Sequence, residues 1–200
     1  MDRIDELATA LARFPGVGPR QGKRFVYYLL SASAAERAKL AELITALGSD
    51  VHQCAHCLRF FNGSKAALCA YCSDAARDDS LLMLVEKDQD LAAVERAGTY
   101  KGRYFVLGGV LTLSGKGAIR ERELVAAIER RLAKGLTEVV LALSATSEGE
   151  HTADRVRELL SPFRDHLKIS VLGRGLSTGS ELEYSDAETL RAALSNRHEA

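Results

Sequence analysis

Four cysteines arranged as two pairs carry the most specific chemical signal in this 200-residue sequence. Cys54 and Cys57 form one Cys-x-x-Cys pair, and Cys69 and Cys72 form a second pair after eleven intervening residues. Two such knuckles can hold four thiolates tetrahedrally around one zinc ion, with zinc–sulfur distances of about 2.3 Å. Because four protein ligands leave no position for a reactive water, the spacing predicts a structural four-cysteine zinc finger, over residues 52–76.

Two histidines lie close to the first cysteine pair. His52 or His56 could replace a thiolate as ligand, but the symmetry of the two pairs favours four sulfur ligands. The N-terminus lacks the basic start and apolar centre of a signal peptide, and no apolar run reaches about 18 residues. We therefore expect a cytoplasmic protein without a membrane segment, in which reduced cysteines bind metal rather than form disulfides.

The first fifty residues have helical periodicity. Apolar residues at helical spacing predict one helix over residues 2–14 and a second over 19–30, with Phe25 and Leu29 buried and Val26 as a further candidate for burial. Between them, the Pro-Gly-Val-Gly-Pro stretch at 15–19 ends the first helix and starts the second. The charge of the whole chain is balanced, with 27 basic and 27 acidic residues, so any anion-binding surface must come from local clustering.

Basic residues cluster directly after this glycine turn. Arg20, Lys23 and Arg24 follow Gly16 and Gly18 without an intervening acidic residue. A helix, a Gly-x-Gly turn and a second helix form the helix-hairpin-helix arrangement, in which free N–H groups and the helix dipole attract a phosphate without reading bases. We predict a sequence-independent DNA contact through these five residues; a plain helical hairpin is the alternative.

A third helix completes the predicted N-terminal domain, which we assign to residues 1–51. Ser33 can cap this helix, and Gly48 is expected to end it. Its apolar stripe is predicted to pack as core against the first two helices; the stripe consists of Leu40, Leu43, Ile44 and Leu47.

After residue 80 the pattern changes to strands that alternate with helices. Short apolar runs predict strands near 81–85, 104–107, 139–143 and 169–172, and helices are expected over 88–97, 121–134 and 150–160. This alternation predicts a mostly parallel sheet covered on both faces, so the fold class is a multidomain α/β protein. We assign 77–172 to this domain and 173–200 to a C-terminal segment.

Acidic residues follow two of the predicted strands. Glu86 ends the first strand, and Glu148 and Glu150 follow a later one, a layout that enzymes use to hold Mg²⁺ for phosphoryl transfer. The paired aspartates of such sites are replaced here by Ser-Ala-Thr at 144–146, so we predict no catalytic residue and keep Mg²⁺ only as an alternative. Glycine-rich stretches at 114–117 and 173–178 lack the spacing of nucleotide-binding loops.

The ordered motifs resemble the RecR family of bacterial recombination mediators over nearly the whole chain. They are Leu-Ala-Arg-Phe-Pro-Gly-Val-Gly-Pro-Arg at 11–20, the four cysteines, Val-Glu at 85–86, Tyr-Phe-Val-Leu-Gly-Gly at 104–109, Glu-Gly-Glu-His-Thr-Ala at 148–153, and Gly-Arg-Gly-Leu with Glu-Leu-Glu-Tyr at 173–184. The chain departs from the family pattern at 110–117, 144–146 and 172–173, which affects loops rather than the predicted fold.

The resemblance implies a helix-hairpin-helix, a four-cysteine zinc finger, a Toprim domain and a C-terminal segment that packs back across the protein. It implies a non-enzymatic role in recombinational DNA repair, with RecO and RecF as partners in loading RecA onto single-stranded DNA. It also implies binding of single-stranded and duplex DNA, and a homodimer or ring-like homotetramer. By position, Arg20, Lys23 and Arg24 would contact DNA, while Glu86, Glu148 and Glu150 would form the acidic surface that engages RecO.

Two other functions compete with this interpretation. A Toprim nuclease or primase would use Glu86 with Glu148 and Glu150 to bind Mg²⁺ and cleave or synthesise nucleic acid. A zinc-stabilised scaffold would bind proteins only, and its DNA affinity would not depend on Lys23 and Arg24.

Overall fold

The structure is a computed structural model that describes residues 2–63, 67–115, 117–176 and 179–197. These residues fall into two compact units, one built from 2–52 with 62–63 and the other from 53–61 with 67–197. Parts of both glycine-rich stretches, residue 116 and residues 177–178, lie outside the described chain.

Three helices form the first unit: α1 (Arg3–Leu11), α2 (Pro19–Ser31) and α3 (Ala34–Asp50). Asp2 caps α1 by accepting a hydrogen bond from the Asp5 N–H at 2.8 Å. A Cβ atom at Gly22 would lie 2.6 Å from the Ala8 carbonyl oxygen, so only glycine lets α1 and α2 approach this closely. Helix α1 ends three residues earlier than predicted, since the chain turns there and the Val17 N–H donates to Phe14 at 3.0 Å.

The predicted burial is wrong for Phe25 of α2 and for the apolar stripe of α3. Phe25 is 37% exposed, whereas Val26, the further candidate on α2, is buried at 3% and Leu29 is half-buried. The α3 stripe is also exposed, at 43% for Leu40, 53% for Leu43, 60% for Ile44 and 61% for Leu47. Leu40 and Ile44 of this stripe border a surface groove of about 280 Å³, which Leu7 of α1 and Leu29 of α2 also line.

The ends of α3 are explained by local hydrogen bonds. Ser33 and Glu36 form a reciprocal capping box, in which the Ser33 N–H donates to Glu36 at 2.8 Å. Helix α3 continues through Gly48, where we expected it to end, and reaches Asp50. Gly48 does not adopt the left-handed conformation of a helix-ending glycine, so its presence only weakens the last turn.

Two short strands and a single helical turn surround the cysteines. Strand β1 (Val51–Gln53) pairs with β2 (Phe60–Asn62), and α4 (Ala70–Ser73) follows the second pair. Cys54 and Cys57 therefore lie in the turn between two paired strands, while Cys69 and Cys72 lie at a helical turn.

A four-stranded parallel sheet forms the centre of the second unit, which confirms the predicted α/β fold class. Its strands are β3 (Asp78–Val85), β4 (Gly102–Val106), β5 (Glu138–Ala142) and β6 (Lys168–Val171), in the order β4-β3-β5-β6. Val85 lies between Val106 and Ala142, so three strands end at the same edge. From β3 the chain goes to β4 on one side of it and then to β5 on the other side, so the direction of strand addition reverses at β3. In α/β folds, binding sites lie at the C-terminal edge of the sheet beside such a reversal.

The alternation of side chains along the strands produces two buried faces. Leu82 and Leu84 point to one face, where they pack with residues of α6 (Glu121–Leu132) and α7 (Ser147–Leu159). Met83 and Val85 point to the other, where they pack with Leu91 of α5 (Asp88–Ala97) and with the cysteines. The continuous apolar run at 81–85 is thus explained by a strand buried on both sides.

The C-terminal segment contains a helix that the sequence did not make clear. A 3₁₀ turn at Ser161–Phe163 follows α7, and another at Leu182–Tyr184 lies in the C-terminal segment. Helix α8 then spans Ala187–Ser195 and is capped by Asp186. The Asn196 side chain donates to the Arg174 carbonyl at 2.7 Å, which fastens this helix to the glycine-rich loop. Every helix in the described ranges is too short or too polar to cross a membrane.

A largely buried ion pair between Arg77 and Glu95 lies on the α5 face of the sheet. The Arg77 guanidinium donates to Glu95 at 2.6 Å, and the Tyr104 hydroxyl donates to the other Glu95 oxygen at 2.5 Å. Burial alone would raise the pKa of Glu95, but the hydrogen bonds from Arg77 and Tyr104 outweigh burial and lower it.

We predict that Glu95→Gln lowers the free energy of unfolding by about 2 kcal/mol at pH 7, because a charged hydrogen-bond acceptor is lost. A lowered folded-state pKa adds stability above the unfolded-state pKa of about 4.3, and this stability is lost as the pH falls through the folded-state value. In urea unfolding experiments between pH 7 and pH 3, the difference in the free energy of unfolding between wild type and Glu95→Gln should therefore shrink below about pH 4.3. Glu129→Gln, at an exposed position on α6, is the control; an equal effect of both changes would contradict the prediction.

Candidate metal centre and nucleic-acid interface

The structure gathers the four cysteine side chains into one group. Their sulfur atoms all lie within 4.8 Å of one another, and the Cys57 and Cys69 Sγ atoms are 3.6 Å apart. Four sulfurs around one zinc at about 2.3 Å are separated by about 3.8 Å, whereas a disulfide requires about 2.05 Å. The spacing fits a tetrathiolate metal site, and all four cysteines are free of disulfides.

Local backbone geometry turns the sulfurs towards one another. In the first knuckle the Leu58 N–H donates to the Cys54 carbonyl at 3.0 Å, and Leu58 takes a left-handed conformation with φ of 60°. In the second knuckle the Cys69 N–H donates to the Cys54 sulfur at 3.4 Å, a contact that stabilises a thiolate. Two tight turns therefore turn the two pairs towards each other.

The chemistry of the donor set also fits zinc. Cys54, Cys57 and Cys69 are at most 1% exposed. Without a metal, hydrogen bonds from neighbouring thiols, that of Cys57 foremost, lower the pKa of Cys54, and the same contact raises the pKa of Cys57. Closely packed thiols cannot all ionise without a cation between them, and zinc binds thiolate sulfur strongly. When bound, zinc would supply folding energy rather than reaction chemistry, as its four ligands are protein groups.

His52 and His56, the two histidines close to the first cysteine pair, do not belong to the group of sulfur ligands. The set of potential ligand atoms within mutual reach consists of the four cysteine sulfurs, without His52 or His56. His56 instead borders a small cavity beside Cys72. The geometry therefore favours the all-sulfur ligand set.

Hydrogen bonds attach the cysteine knuckles to the edge of the parallel sheet. The Val106 N–H of edge strand β4 donates to the Cys57 carbonyl at 2.9 Å. Arg120 donates at 2.9 Å to both the Leu58 and the Val106 carbonyl oxygens, and Arg103 donates to the Tyr71 carbonyl at 3.0 Å. Both knuckles are thus fixed to the same strand, as expected for a structural metal site.

The helical hairpin presents an uncapped helix N-terminus. Gly16 has a φ of +76°, which few other residues tolerate, and Gly18 is the extended N-cap residue of α2. No side chain caps this helix, and Pro19 at its first position has no N–H to satisfy. The first turn also lacks acidic residues, so it keeps the positive end of the helix dipole.

The three basic residues predicted to contact DNA lie on this helix in different settings. Arg20 is exposed in the first turn, and Arg24 bonds only weakly to Gln21, at 3.4 Å. Lys23 is paired with Asp5 of α1 at 3.0 Å, and this contact raises the pKa of Lys23. The sequence motif does not include Asp5, because this partner lies on the other helix and meets Lys23 only where α1 and α2 approach closely at Ala8 and Gly22.

The predicted acidic residues do not form one open group. Glu86 is only 8% exposed and accepts a hydrogen bond from the Ser144 N–H at 2.6 Å. Glu148 lies half-buried in the first turn of α7, and Glu150 forms an ion pair with Arg174. Within the described ranges, the cysteines are the only set of three or more candidate metal ligands in mutual reach.

Comparison with known proteins agrees with this arrangement. The RecR helix-hairpin-helix model matches residues 4–47, the Toprim domain model matches 80–173 and the RecR C-terminal model matches 175–198. The chain is 38% identical to Recombination protein RecR of a Nocardioides species, over 98% of this chain and 96% of the relative. The chain belongs to the RecR family. The RecR proteins of Cutibacterium acnes and Cereibacter sphaeroides are 38% and 37% identical, over 97% of this chain and 94% and 95% of theirs.

The cysteine geometry makes a direct prediction for this RecR family member. Cys57→Ser should lower the zinc content from about one equivalent to near zero, since three thiolates and a hydroxyl bind zinc poorly. Zinc binding to such segments contributes about 10–16 kcal/mol, so loss of the metal should also expose the segment around 52–76 to protease. Metal analysis and limited proteolysis measure both effects.

Two histidine variants serve as controls for the ligand assignment. His52→Ala and His56→Ala should keep full zinc content, because neither ring belongs to the sulfur group. Retention of zinc and protease resistance in Cys57→Ser would rule out the tetrathiolate site.

Proposed function

We propose that the chain is a non-enzymatic, DNA-binding recombination mediator that acts in recombinational DNA repair. The observation that carries this proposal is the N-terminus of α2, which is uncapped, free of acidic residues and followed by Arg20, Lys23 and Arg24. Free N–H groups and nearby cations bind phosphates without base recognition, which suits a protein that must act on any sequence. The RecR family membership supports the repair role.

The partners in this proposal are RecO and RecF, with which the protein would load RecA onto single-stranded DNA. We place the RecO contact at the C-terminal edge of the sheet, where Glu148 and Glu150 stand at the start of α7. Glu86 would act by shaping this edge, because its buried carboxylate holds the Ser144 N–H. We further propose assembly as a homodimer or ring-like homotetramer, which would let several weak hairpin contacts act together on one DNA.

Support for a non-enzymatic role comes from the same sheet edge. A magnesium-dependent nuclease or primase needs several free carboxylates around the metal. Here Glu86 is buried against a backbone N–H, Glu150 is paired with Arg174, and Ser144–Thr146 supply no carboxylate. Magnesium-dependent DNA cleavage or primer synthesis by the pure protein, abolished by Glu86→Gln, would contradict this part of the proposal.

The DNA contact can be tested by replacing Arg20, Lys23 and Arg24 together with alanine. We expect affinity for a single-stranded oligonucleotide to fall about tenfold or more, and the log–log salt slope to flatten by about 2, since about 0.7 counterions are released per contact. Fluorescence anisotropy over a salt series measures both. Lys39→Ala, an exposed lysine on α3, is the control; unchanged DNA affinity in the triple variant would favour a scaffold that binds only proteins.

The ion pair at the hairpin allows a gain-of-binding test of the same surface. Asp5→Asn frees Lys23 from its partner and removes a negative charge, so DNA affinity should rise about twofold to fivefold. A fall in affinity would mean that Asp5 positions Lys23 rather than competes with DNA.

The RecO contact can be tested by charge reversal on α7. Glu148→Lys should weaken binding of purified RecO at least about tenfold, because it places a like charge within the proposed interface. Glu123→Lys, an exposed acidic position on α6, should leave the affinity unchanged. Equal RecO binding by both variants in a titration would place the contact elsewhere.

A further inference from the structure

A small cavity with a basic lining lies beside the second cysteine knuckle. Its volume is about 60 Å³, and it is bordered by four basic residues and by one carboxylate, one histidine and one cysteine: Arg103, Arg130, Arg131, Lys134, Asp79, His56 and Cys72. The lining combines residues near the start of β3 with residues at the end of α6. Apart from Cys72, none of these side chains belongs to the metal ligands or to the DNA-contact residues proposed for the hairpin.

One wall of the cavity is a buried arginine. Arg131 is only 7% exposed, and its Nε atom is buried without a hydrogen-bond partner. Over the described ranges, no hydrogen bond or ion pair engages its guanidinium. A buried, unpaired charge is costly in a folded protein, and a guanidinium stays charged at neutral pH. Cys72 and Asp79 attract the Arg131 guanidinium electrostatically, but neither accepts a hydrogen bond from it, so Arg131 keeps unused donor capacity beside the cavity.

The other buried arginine at the cavity is already engaged. Arg103 donates from Nε to Asp79 at 2.7 Å, and from its terminal nitrogen to the carbonyls of Tyr71 and Asp74 at 3.0 and 2.9 Å. Asp79 therefore forms its hydrogen bond with Arg103 and acts on Arg131 only through the field of its charge. Arg130 and Lys134 are exposed at the rim and add two further positive charges.

The neighbouring cysteine centre does not balance the remaining charge. Arg131, Arg130 and Lys134 leave three positive charges after Arg103 has been paired with Asp79. A zinc ion with four thiolates carries two negative charges, so one positive charge stays unbalanced even with the metal bound. Cys72 is also only one of the four ligands, and its sulfur is shared with the metal.

We propose that this cavity is an oxyanion-binding site that takes one phosphate group. A volume of about 60 Å³ accommodates a single tetrahedral oxyanion but no base or sugar. The forked donors of Arg131 suit two oxygens of a phosphate, and Arg130 and Lys134 at the rim attract the anion from solvent. The bound group joins the end of α6 to the second knuckle and so stabilises the metal-binding segment.

The first test is a titration of the zinc-loaded full chain with inorganic phosphate, followed by calorimetry and ³¹P NMR, with chloride as reference anion. We expect saturable binding of phosphate that weakens at least about tenfold in Arg131→Met, which keeps the apolar volume and removes the charge. Arg122→Ala, an exposed position on the same helix, should change the affinity less than about twofold. Absence of saturable phosphate binding to wild type overturns the proposal.

Rim variants keep the test decisive if Arg131→Met loses zinc. Arg130→Ala and Lys134→Ala change exposed side chains, and each should weaken phosphate binding about threefold or more with full zinc content. Phosphate binding that is unchanged in both rim variants and in Arg131→Met also overturns the site.

A second arm separates the two sources of the phosphate. A short single-stranded oligonucleotide is added to the phosphate-loaded Lys23→Ala/Arg24→Ala variant, in which the hairpin contact is weakened. Displacement of the bound phosphate identifies the DNA backbone as the source, and retention identifies a free phosphate; both support an oxyanion site. Failure of the DNA-binding proposal for the hairpin leaves the phosphate titration unaffected, so the two proposals fail separately.

Discussion

The bond between the Val106 N–H and the Cys57 carbonyl couples the metal-binding segment to the sheet of the second unit. It joins the first cysteine knuckle to the end of the edge strand β4, where a strand would otherwise leave an N–H group unpaired. The buried sulfurs then share one apolar cluster with Met83, Val85 and Tyr104. The metal site and the sheet are therefore parts of one core, and the energy of metal binding stabilises both.

The same arrangement explains how charged groups can lie so deep in the second unit. Arg103 reaches across the sheet edge to the backbone of the second knuckle, and Arg120 joins the first knuckle to β4. Each guanidinium binds at least one carbonyl oxygen of the irregular cysteine loops. The loops are thus held by arginines as well as by sulfur, whereas the buried Arg131 makes no such bond among the described residues.

Local patterns predicted much of this fold. The buried run at 81–85 and the helix over 88–97 match β3 and α5, and the cysteine spacing predicted the sulfur group, because these features depend on neighbours close in sequence. The apolar stripe of α3 was predicted to be buried and is exposed, since periodicity marks an apolar face without saying what covers it. The Lys23–Asp5 pair and the burial of Arg131 arise from contacts between distant elements, which no single segment reveals.

The C-terminal edge of the sheet shows how a Toprim framework can hold its acidic residues without presenting them together. Gly149 approaches the Ser144 carbonyl so closely that a Cβ atom would overlap it, and this packing fixes the start of α7 against the end of β5. The Ser144 N–H is thereby turned towards Glu86, whose Oε1 atom accepts its hydrogen bond. This bond fixes the orientation of the Glu86 carboxylate at the end of β3. Around Ser144–Thr146 the three glutamates thus have separate surroundings: Glu86 is buried against the Ser144 N–H, Glu150 is paired with Arg174, and Glu148 is half-buried in the first turn of α7.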